Sequence, residues 1–150
     1  MNRTKTELYN HINGILNDKI NALIENIKSA TESKNSDTKS SAGDKFETGR
    51  EMIQIEINKL EQQLSNTRKL KNDLNKINIE KDFSSVEFGS IVITNKGNYF
   101  ISIGIGKIEI NNKYYYAVSL ASPIGKALYN KHENNEIVFN NDSIKIIKIY

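Results

Sequence analysis

The sequence predicts an α+β fold in which an antiparallel helical hairpin precedes a small antiparallel β domain with one short helix. Residues up to about 77 carry apolar side chains at steps of three and four, the period of an amphipathic helix. From about residue 86, β-branched and aromatic side chains recur at every second position, which is typical of strands. At 150 residues the chain has room for one small domain and an elongated appendage. We therefore place the hairpin at 1–78, a linker at 79–85 and the β domain at 86–150.

The first helix is predicted over residues 5–33. Its apolar stripe consists of Leu8, Ile12, Ile15, Leu16, Ile20, Leu23, Ile24 and Ile27. Gly14 costs roughly 1 kcal/mol relative to alanine, so packing against a partner must stabilise this helix. Residues 34–43 are polar and small and show no period, which predicts a loop at the tip of the hairpin.

The second helix is predicted from Asp44 to about Ile77, with a slip in its apolar pattern near Thr67. Its stripe consists of Phe46, Ile53, Ile57, Leu60, Leu64, Leu70, Leu74 and Ile77. Two stripes of equal length joined by a short loop favour an antiparallel coiled coil within one chain. Pairing with a second chain is the alternative. It is less favoured because each stripe already has a match next to it, and we expect a monomer.

Six strands and one short helix are predicted in the β domain. The strands are placed at 90–94, 99–105, 107–110, 114–120, 136–140 and 144–149, with turns at 95–98 and 111–112. The helix is placed at 124–129. Pro123 lies at its first turn, where the missing N–H of proline costs nothing.

Composition and charge exclude several classes of protein. The net charge of +3 is spread evenly, with 14 basic and 13 acidic residues in 1–84 and 7 and 5 in 85–150, so charge totals indicate no basic patch for nucleic acid. The absence of cysteine excludes disulfides and thiolate metal sites. No apolar run approaches the roughly 20 residues that cross a bilayer, and the first residues do not have the pattern of a signal peptide. We expect a cytoplasmic protein.

Two carboxylates at the start of the second helix, Asp44 and Glu47, are the main candidate site residues. One interpretation is structural: Asp44 caps the helix, and Glu47, three residues later, completes a capping box. The other interpretation is that both are exposed metal ligands at the tip. No histidine or third acid lies nearby in sequence, so such a metal would be shared with a partner.

The cations around the tip also allow two interpretations. Lys34, Lys39, Lys45 and Arg50 form either a solvated face of mixed charge or a contact with a nucleic-acid backbone, DNA included. Elsewhere, His11 and His132 are predicted to be surface residues without a catalytic role. The alternation of Tyr114, Tyr115 and Tyr116 places two rings on one face of a strand, which cross-strand packing explains.

Two segments give the chain a family resemblance. The first is Gly43-Asp44-Lys45-Phe46-Glu47, and the second runs from Phe88-Gly89-Ser90 through Ser122-Pro123-Ile124 and Ala127-Leu128 to Glu136-Ile137-Val138 and the final strand. In this order, after a helical hairpin, they resemble the bacterial Gre family of transcript-cleavage factors. That resemblance implies an FKBP-like fold for the second domain.

The resemblance also implies a mode of action. In the Gre family the C-terminal domain docks on RNA polymerase, and the hairpin enters the secondary channel, where the tip acids help to hold a magnesium ion of the polymerase active site. Carried over by position, Asp44 and Glu47 become ligands of the shared Mg²⁺, and Ser122, Pro123 and Ile124 become part of the docking segment. The chain is then expected to have no enzyme activity and no cofactor of its own, and to act on the 3′ end of nascent RNA indirectly.

The sequence also departs from the family pattern. After the acidic pair the family continues Asn-Ala-Glu-Tyr, whereas this chain has Thr48-Gly49-Arg50-Glu51. Polymerase docking is therefore better supported than stimulation of RNA cleavage, and a non-catalytic modulator or inhibitor with the same architecture is the alternative. A prolyl isomerase is a third hypothesis, but such sites need a pocket lined by aromatic residues, and the short β domain offers no clear set.

Overall fold

The computed structural model describes residues 2–37 and 43–150, and it describes side chains at 3–36 and 47–150. Helix α1 spans Asn2–Asp37 and helix α2 spans Gly43–Asn75. The remaining elements, in chain order, are β1 (Ile91–Thr94), β2 (Asn98–Ile101), β3 (Gly106–Ile110), β4 (Lys113–Val118), α3 (Pro123–Leu128), β5 (Glu136–Phe139) and β6 (Asp142–Ile149). The predicted α+β class, a helical hairpin followed by a small sheet with one short helix, is confirmed.

Helix α1 is longer at both ends than the sequence analysis placed it. It begins at Asn2 and continues to Asp37, so Lys34–Asp37 are helical and do not belong to the predicted tip loop. The polar residues after Ala30 carry no apolar period, but intrahelical hydrogen bonds do not require one, and Lys34 is further held by a bond from its Nζ to Oε1 of Gln54. Residues 38–42 of the predicted loop lie outside the described residues.

Within Gly14–Lys71, α1 and α2 run antiparallel in constant register. Lys71 Nζ donates to Asn17 Oδ1 over 2.5 Å, and Lys34 Nζ donates to Gln54 Oε1. The second pair lies as many residues further along α1 as it lies back along α2, so the register of the two helices is the same at both pairs. The described core of this part of the hairpin consists of Leu16, Leu23, Ile57, Leu60 and Thr67. Thr67 is only 2% exposed, and its hydroxyl donates to the Gln63 carbonyl over 2.7 Å, so its burial leaves the hydroxyl paired. The apparent slip in the apolar stripe is thus filled by a threonine whose polar atom is satisfied within the helix.

The six strands form one sheet in the order β3-β4-β2-β1-β6-β5. All neighbours are antiparallel except β2 and β4, which pair in parallel with Tyr99 opposite Tyr116. The expectation of a purely antiparallel sheet was therefore wrong at this one pair. The chain leaves β2 at Ile101, places β3 at the edge of the sheet and returns as β4 between β3 and β2.

Pairs of asparagines form two of the hairpin turns. Asn111 and Asn112 connect β3 to β4 with φ of 52° and 62°, and Asn140 and Asn141 connect β5 to β6 with φ of 51° and 64°. Positive φ at both central residues is the geometry of a type I′ turn, which fits the twist of paired strands and which asparagine tolerates. The frequent asparagines of this chain have a structural role at these positions.

One face of the sheet carries the apolar core under α3. The cluster contains Val86, Val92, Ile101, Leu128, Ile146 and their buried neighbours, with Ile124, Ala127 and Tyr99 packed against it. The other face is buried too, at Ile91, Phe100, Ile108, Tyr115 and Ala117. Both faces of the sheet therefore contribute to the packing of the β domain.

The described structure forms two compact units. One comprises Met1–Asn13 and Asn72–Tyr150, and the other comprises Gly14–Lys71. The start of α1 is joined to the β domain within the first unit, since Asn111 Nδ2 donates to Glu7 Oε2 over 2.8 Å. The predicted boundaries at 78 and 86 remain predictions about where independent domains begin and end.

Lys5 ties the start of α1 to the predicted linker. Its side chain is 1% exposed, and its Nζ donates to the Lys81 carbonyl over 2.9 Å. The same ammonium lies 4.7 Å from the centre of the Phe83 ring. This lysine was not among the residues predicted to be buried, although its position three residues before Leu8 places it on the apolar stripe. Residues of the predicted linker are thus packed, and Phe83 is itself buried.

Candidate functional site

The acidic tip segment lies at the start of α2. The helix begins at Gly43, which places Asp44 inside its first turn, where a negative charge interacts favourably with the helix dipole. The side chain of Asp44 lies outside the described residues, so neither its proposed cap nor its proposed metal contact is described. Glu47 is described, and its side chain is exposed.

Glu47 lines a cleft of about 360 Å³ together with Lys34, Arg50, Glu51 and Gln54. Arg50 and Glu51 follow Glu47 by three and four residues, so helical spacing places all three on one face of α2. Lys34 reaches the cleft from α1 through its bond to Gln54, whose amide donates in turn to Asn58 Oδ1 over 2.8 Å. Two cations and two carboxylates therefore share one cleft in the unit Gly14–Lys71.

This cleft fits a shared magnesium ion in part. Magnesium is often held by only one or two carboxylates together with water and phosphate oxygens, and the exposed Glu47 carboxylate suits such a role. Arg50 and Lys34 oppose it, because a cation in the same cleft competes for that carboxylate. Among the residues that the structure describes, no group of three or more His, Asp or Glu could hold a metal ion.

The segment Ser122-Pro123-Ile124 forms the start of α3. Ser122 is the N-cap: its Oγ accepts from the Gly125 N–H over 3.1 Å and donates to the Ser119 carbonyl over 2.6 Å. Ile124 packs against the apolar core, whereas Pro123 is exposed. Of the three predicted docking residues, Ser122 and Ile124 have structural roles in the fold and Pro123 presents a free surface.

Close packing of α3 requires a glycine at position 125, between the Ser-Pro and Ala-Leu parts of the motif. A Cβ at this position would lie 2.1 Å from the Ser119 carbonyl oxygen and 2.9 Å from Ser122 Oγ, so only glycine allows α3 to approach this backbone. Leu128 is fully buried, and Ala127 packs beside it. Much of the Ser-Pro-x-x-x-Ala-Leu pattern therefore specifies how α3 is capped and packed.

A small cleft that the sequence analysis did not identify lies beside α3. It measures about 180 Å³ and is lined by Leu120, Lys126 and Tyr129. Tyr129 is 53% exposed, directly after the buried Leu128. The sequence signal that could have identified this cleft is a large aromatic residue at the end of a short predicted helix.

The two predicted sites belong to different compact units. Glu47 lies in Gly14–Lys71, whereas Ser122 lies in the unit that contains Asn72–Tyr150.

The histidines are both exposed, and His132 contacts the Ser84 carbonyl through Nδ1 over 3.1 Å. Neither histidine lines the cleft at Glu47.

Comparison with known proteins gives little further information. No protein family matches the sequence, and no curated protein does. Among solved structures, the transcription factor Gfh1 is similar over 92% of this chain and 92% of its own, with 15% sequence identity and a TM-score of 0.36. A similarity at that score carries no argument about fold or function. Statements about the fold and the proposed function therefore depend on the residues and contacts above.

Of the helices in the described parts of the chain, none has the length and apolarity to cross a membrane.

Proposed function

We propose that this chain is a Gre-like transcription elongation factor that docks on bacterial RNA polymerase and inserts its hairpin tip in the secondary channel. Its role there would be to stimulate cleavage of backtracked RNA. The observation that carries the proposal is the exposed Glu47 in the Gly-Asp-x-x-Glu segment, at the start of the second helix of an intrachain hairpin. The exposed Pro123 on a capped α3 supports docking by the β domain.

In this proposal the chain's own residues present oxygens rather than perform a reaction. A magnesium ion in a two-metal active site stabilises the attacking and leaving oxygens of phosphoryl displacement. Glu47, with Asp44 as its partner by position, would supply acceptor oxygens that help to hold that ion and orient water. The hairpin core at Leu16, Leu23 and Leu60 would keep the helix that carries Glu47 rigid. The hydrolytic activity belongs to the polymerase.

A cleavage assay with matched variants tests this role. A stalled, backtracked elongation complex is incubated with wild type, with Asp44→Ala/Glu47→Ala, or with Glu56→Ala/Glu61→Ala, in which two exposed acids of the same helix are removed. We expect release of 3′ RNA fragments with wild type and with the second pair, but not with the first. Equal release by all three proteins would show that the tip acids have no part in cleavage.

A second function, inhibition or modulation without cleavage, is favoured by one observation. Lys34 and Arg50 line the cleft that contains Glu47, and cations there weaken the affinity of the carboxylate for a metal. Under this alternative, wild type co-purifies with RNA polymerase and slows elongation, while the cleavage assay gives no RNA fragments. The two candidates share their binding partner and differ only in what the tip does.

A further inference from the structure

Two tyrosine rings lie exposed on one face of the sheet. Tyr114 is 49% exposed and Tyr116 is 37% exposed, whereas Tyr115 between them is 2% exposed and belongs to the core on the other face. The alternation of β4 therefore separates one packing tyrosine from two that point to solvent. Cross-strand packing, which the sequence analysis assigned to all three, accounts fully only for Tyr115.

The exposed rings are part of an arrangement that spans three strands. Tyr116 is opposite Tyr99 on β2 and Lys107 on β3, and the rings of Tyr99 and Tyr116 have centroids 5.8 Å apart. The Lys107 ammonium lies 4.0 Å from the centre of the Tyr114 ring. We call Tyr99, Tyr114, Tyr116 and Lys107 the tyrosine platform. All four lie in the unit that contains Asn72–Tyr150.

The charges near the platform favour an anionic ligand. Lys107 lies on it, and Lys96 precedes Gly97, whose position is close enough to Tyr116 that a Cβ there would contact the ring at 3.6 Å. Glu109, opposite Tyr114, is the acidic residue on the same face. One lysine therefore lies on the platform, a second lies one residue from a position that borders the Tyr116 ring, and one carboxylate is opposite Tyr114.

We propose that the tyrosine platform binds single-stranded nucleic acid, with one base stacked on Tyr116 and a second on the face of Tyr114 that Lys107 now covers. The displaced Lys107 ammonium would then lie beside a phosphate. Alternate residues of a strand lie roughly 6.6 Å apart, so the two rings offer separate stacking positions on one strand. Exposed aromatic side chains on a sheet, next to cations, are the arrangement by which proteins hold unpaired bases. The proposal does not depend on the tip acids or on polymerase docking.

Fluorescence anisotropy with the full chain tests the proposal. The probes are a labelled oligouridylate, the corresponding oligothymidylate and a duplex of the same length. We expect saturable binding of the single strands and weaker binding of the duplex, because paired bases cannot stack on the rings. Equal affinity for the two single strands would assign recognition to bases and phosphates, and a preference for RNA would add a contact to the 2′-hydroxyl.

Variants distinguish the platform from general charge attraction. Tyr114→Ser and Tyr116→Ser are each expected to weaken single-strand binding roughly 5- to 150-fold, whereas Tyr116→Phe keeps the ring and retains binding. Tyr129→Ser, which removes an exposed tyrosine beside α3, is the matched control and is expected to bind like wild type. Lys107→Met is expected to reduce the slope of log affinity against log salt by about 0.7.

Three results would overturn the proposal: no saturable binding of either single strand, equal binding of the duplex, or unchanged binding by the Tyr114→Ser/Tyr116→Ser variant. Circular dichroism of each variant establishes that the fold is intact, and the comparison of single strands with the duplex on wild type keeps the proposal falsifiable if a serine variant fails to fold. Failure here leaves the cleavage assay unaffected, since that assay depends on Glu47.

Discussion

Lys5 offers a sharp test of how the start of α1 is held. Lys5→Ala removes three buried methylenes, at about 0.8 kcal/mol each, which is about 2.4 kcal/mol. It also removes the hydrogen bond to the Lys81 carbonyl, for a total loss of about 3 kcal/mol in the free energy of unfolding. Lys5→Met keeps the buried stem and loses only the ammonium. Burial lowers the pKa of Lys5, against smaller opposing effects of Asp82 and Glu80, so losing this charge relieves a desolvation cost.

We therefore expect Lys5→Met to lie within about 1 kcal/mol of wild type at neutral pH. Because the folded state binds the Lys5 proton less tightly than the unfolded state, the stability of wild type relative to Lys5→Met should rise as pH approaches the ordinary value of 10.5 from below. Urea unfolding followed by tyrosine fluorescence measures this, since all seven tyrosines lie in the unit that contains Lys5. Equal losses for the alanine and methionine variants, or a difference that falls with pH, would refute the reasoning.

Three further predictions concern α3 and the tip. Gly125→Ala should destabilise the β domain by about 3 kcal/mol or more, because its Cβ would overlap the Ser119 carbonyl, whereas Gly104→Ala, with nothing within 4 Å, should stay within about 0.5 kcal/mol in the same urea titration. Ser122→Ala should cost about 1 kcal/mol through loss of the N-cap, and a cost near zero would show that α3 does not depend on it. If the chain stimulates cleavage, Arg50→Gln should lower the magnesium concentration for half-maximal RNA release by about two- to fivefold, and an unchanged or higher requirement would contradict competition for Glu47.

The periodic signals predicted the elements well because each is local. Alternation in β4 and β6 placed both strands within two residues of their observed ends, and the apolar stripe at Leu8, Ile12 and Leu16 identified the buried face of α1. The parallel pairing of β2 with β4 was missed, because which strands become neighbours is a property of the whole sheet and no local pattern records it.

The candidate site was predictable only where chemistry is carried by a motif. The tip segment and Ser122-Pro123 stand out in sequence, and the structure places both at helix starts. The burial of Lys5 was missed because a charged residue on an apolar stripe is ordinarily assigned to solvent, and here a carbonyl and an aromatic ring receive its ammonium. The cluster of cations with Glu47 depends on Lys34 reaching across from α1, which requires the register of the hairpin.

Tethered radical cleavage tests the central claim most directly, because the chain contains no cysteine and a single one can be introduced. An iron chelate is attached to Glu51→Cys near the tip and, as the control, to Glu136→Cys on the edge strand β5, and each protein is bound to RNA polymerase. We predict that the chelate at residue 51 cuts polymerase segments around the active site and that the chelate at residue 136 cuts only segments on the outer surface. Cuts by the residue 51 chelate that are absent, or that match those of the control, would contradict insertion of the hairpin into the channel.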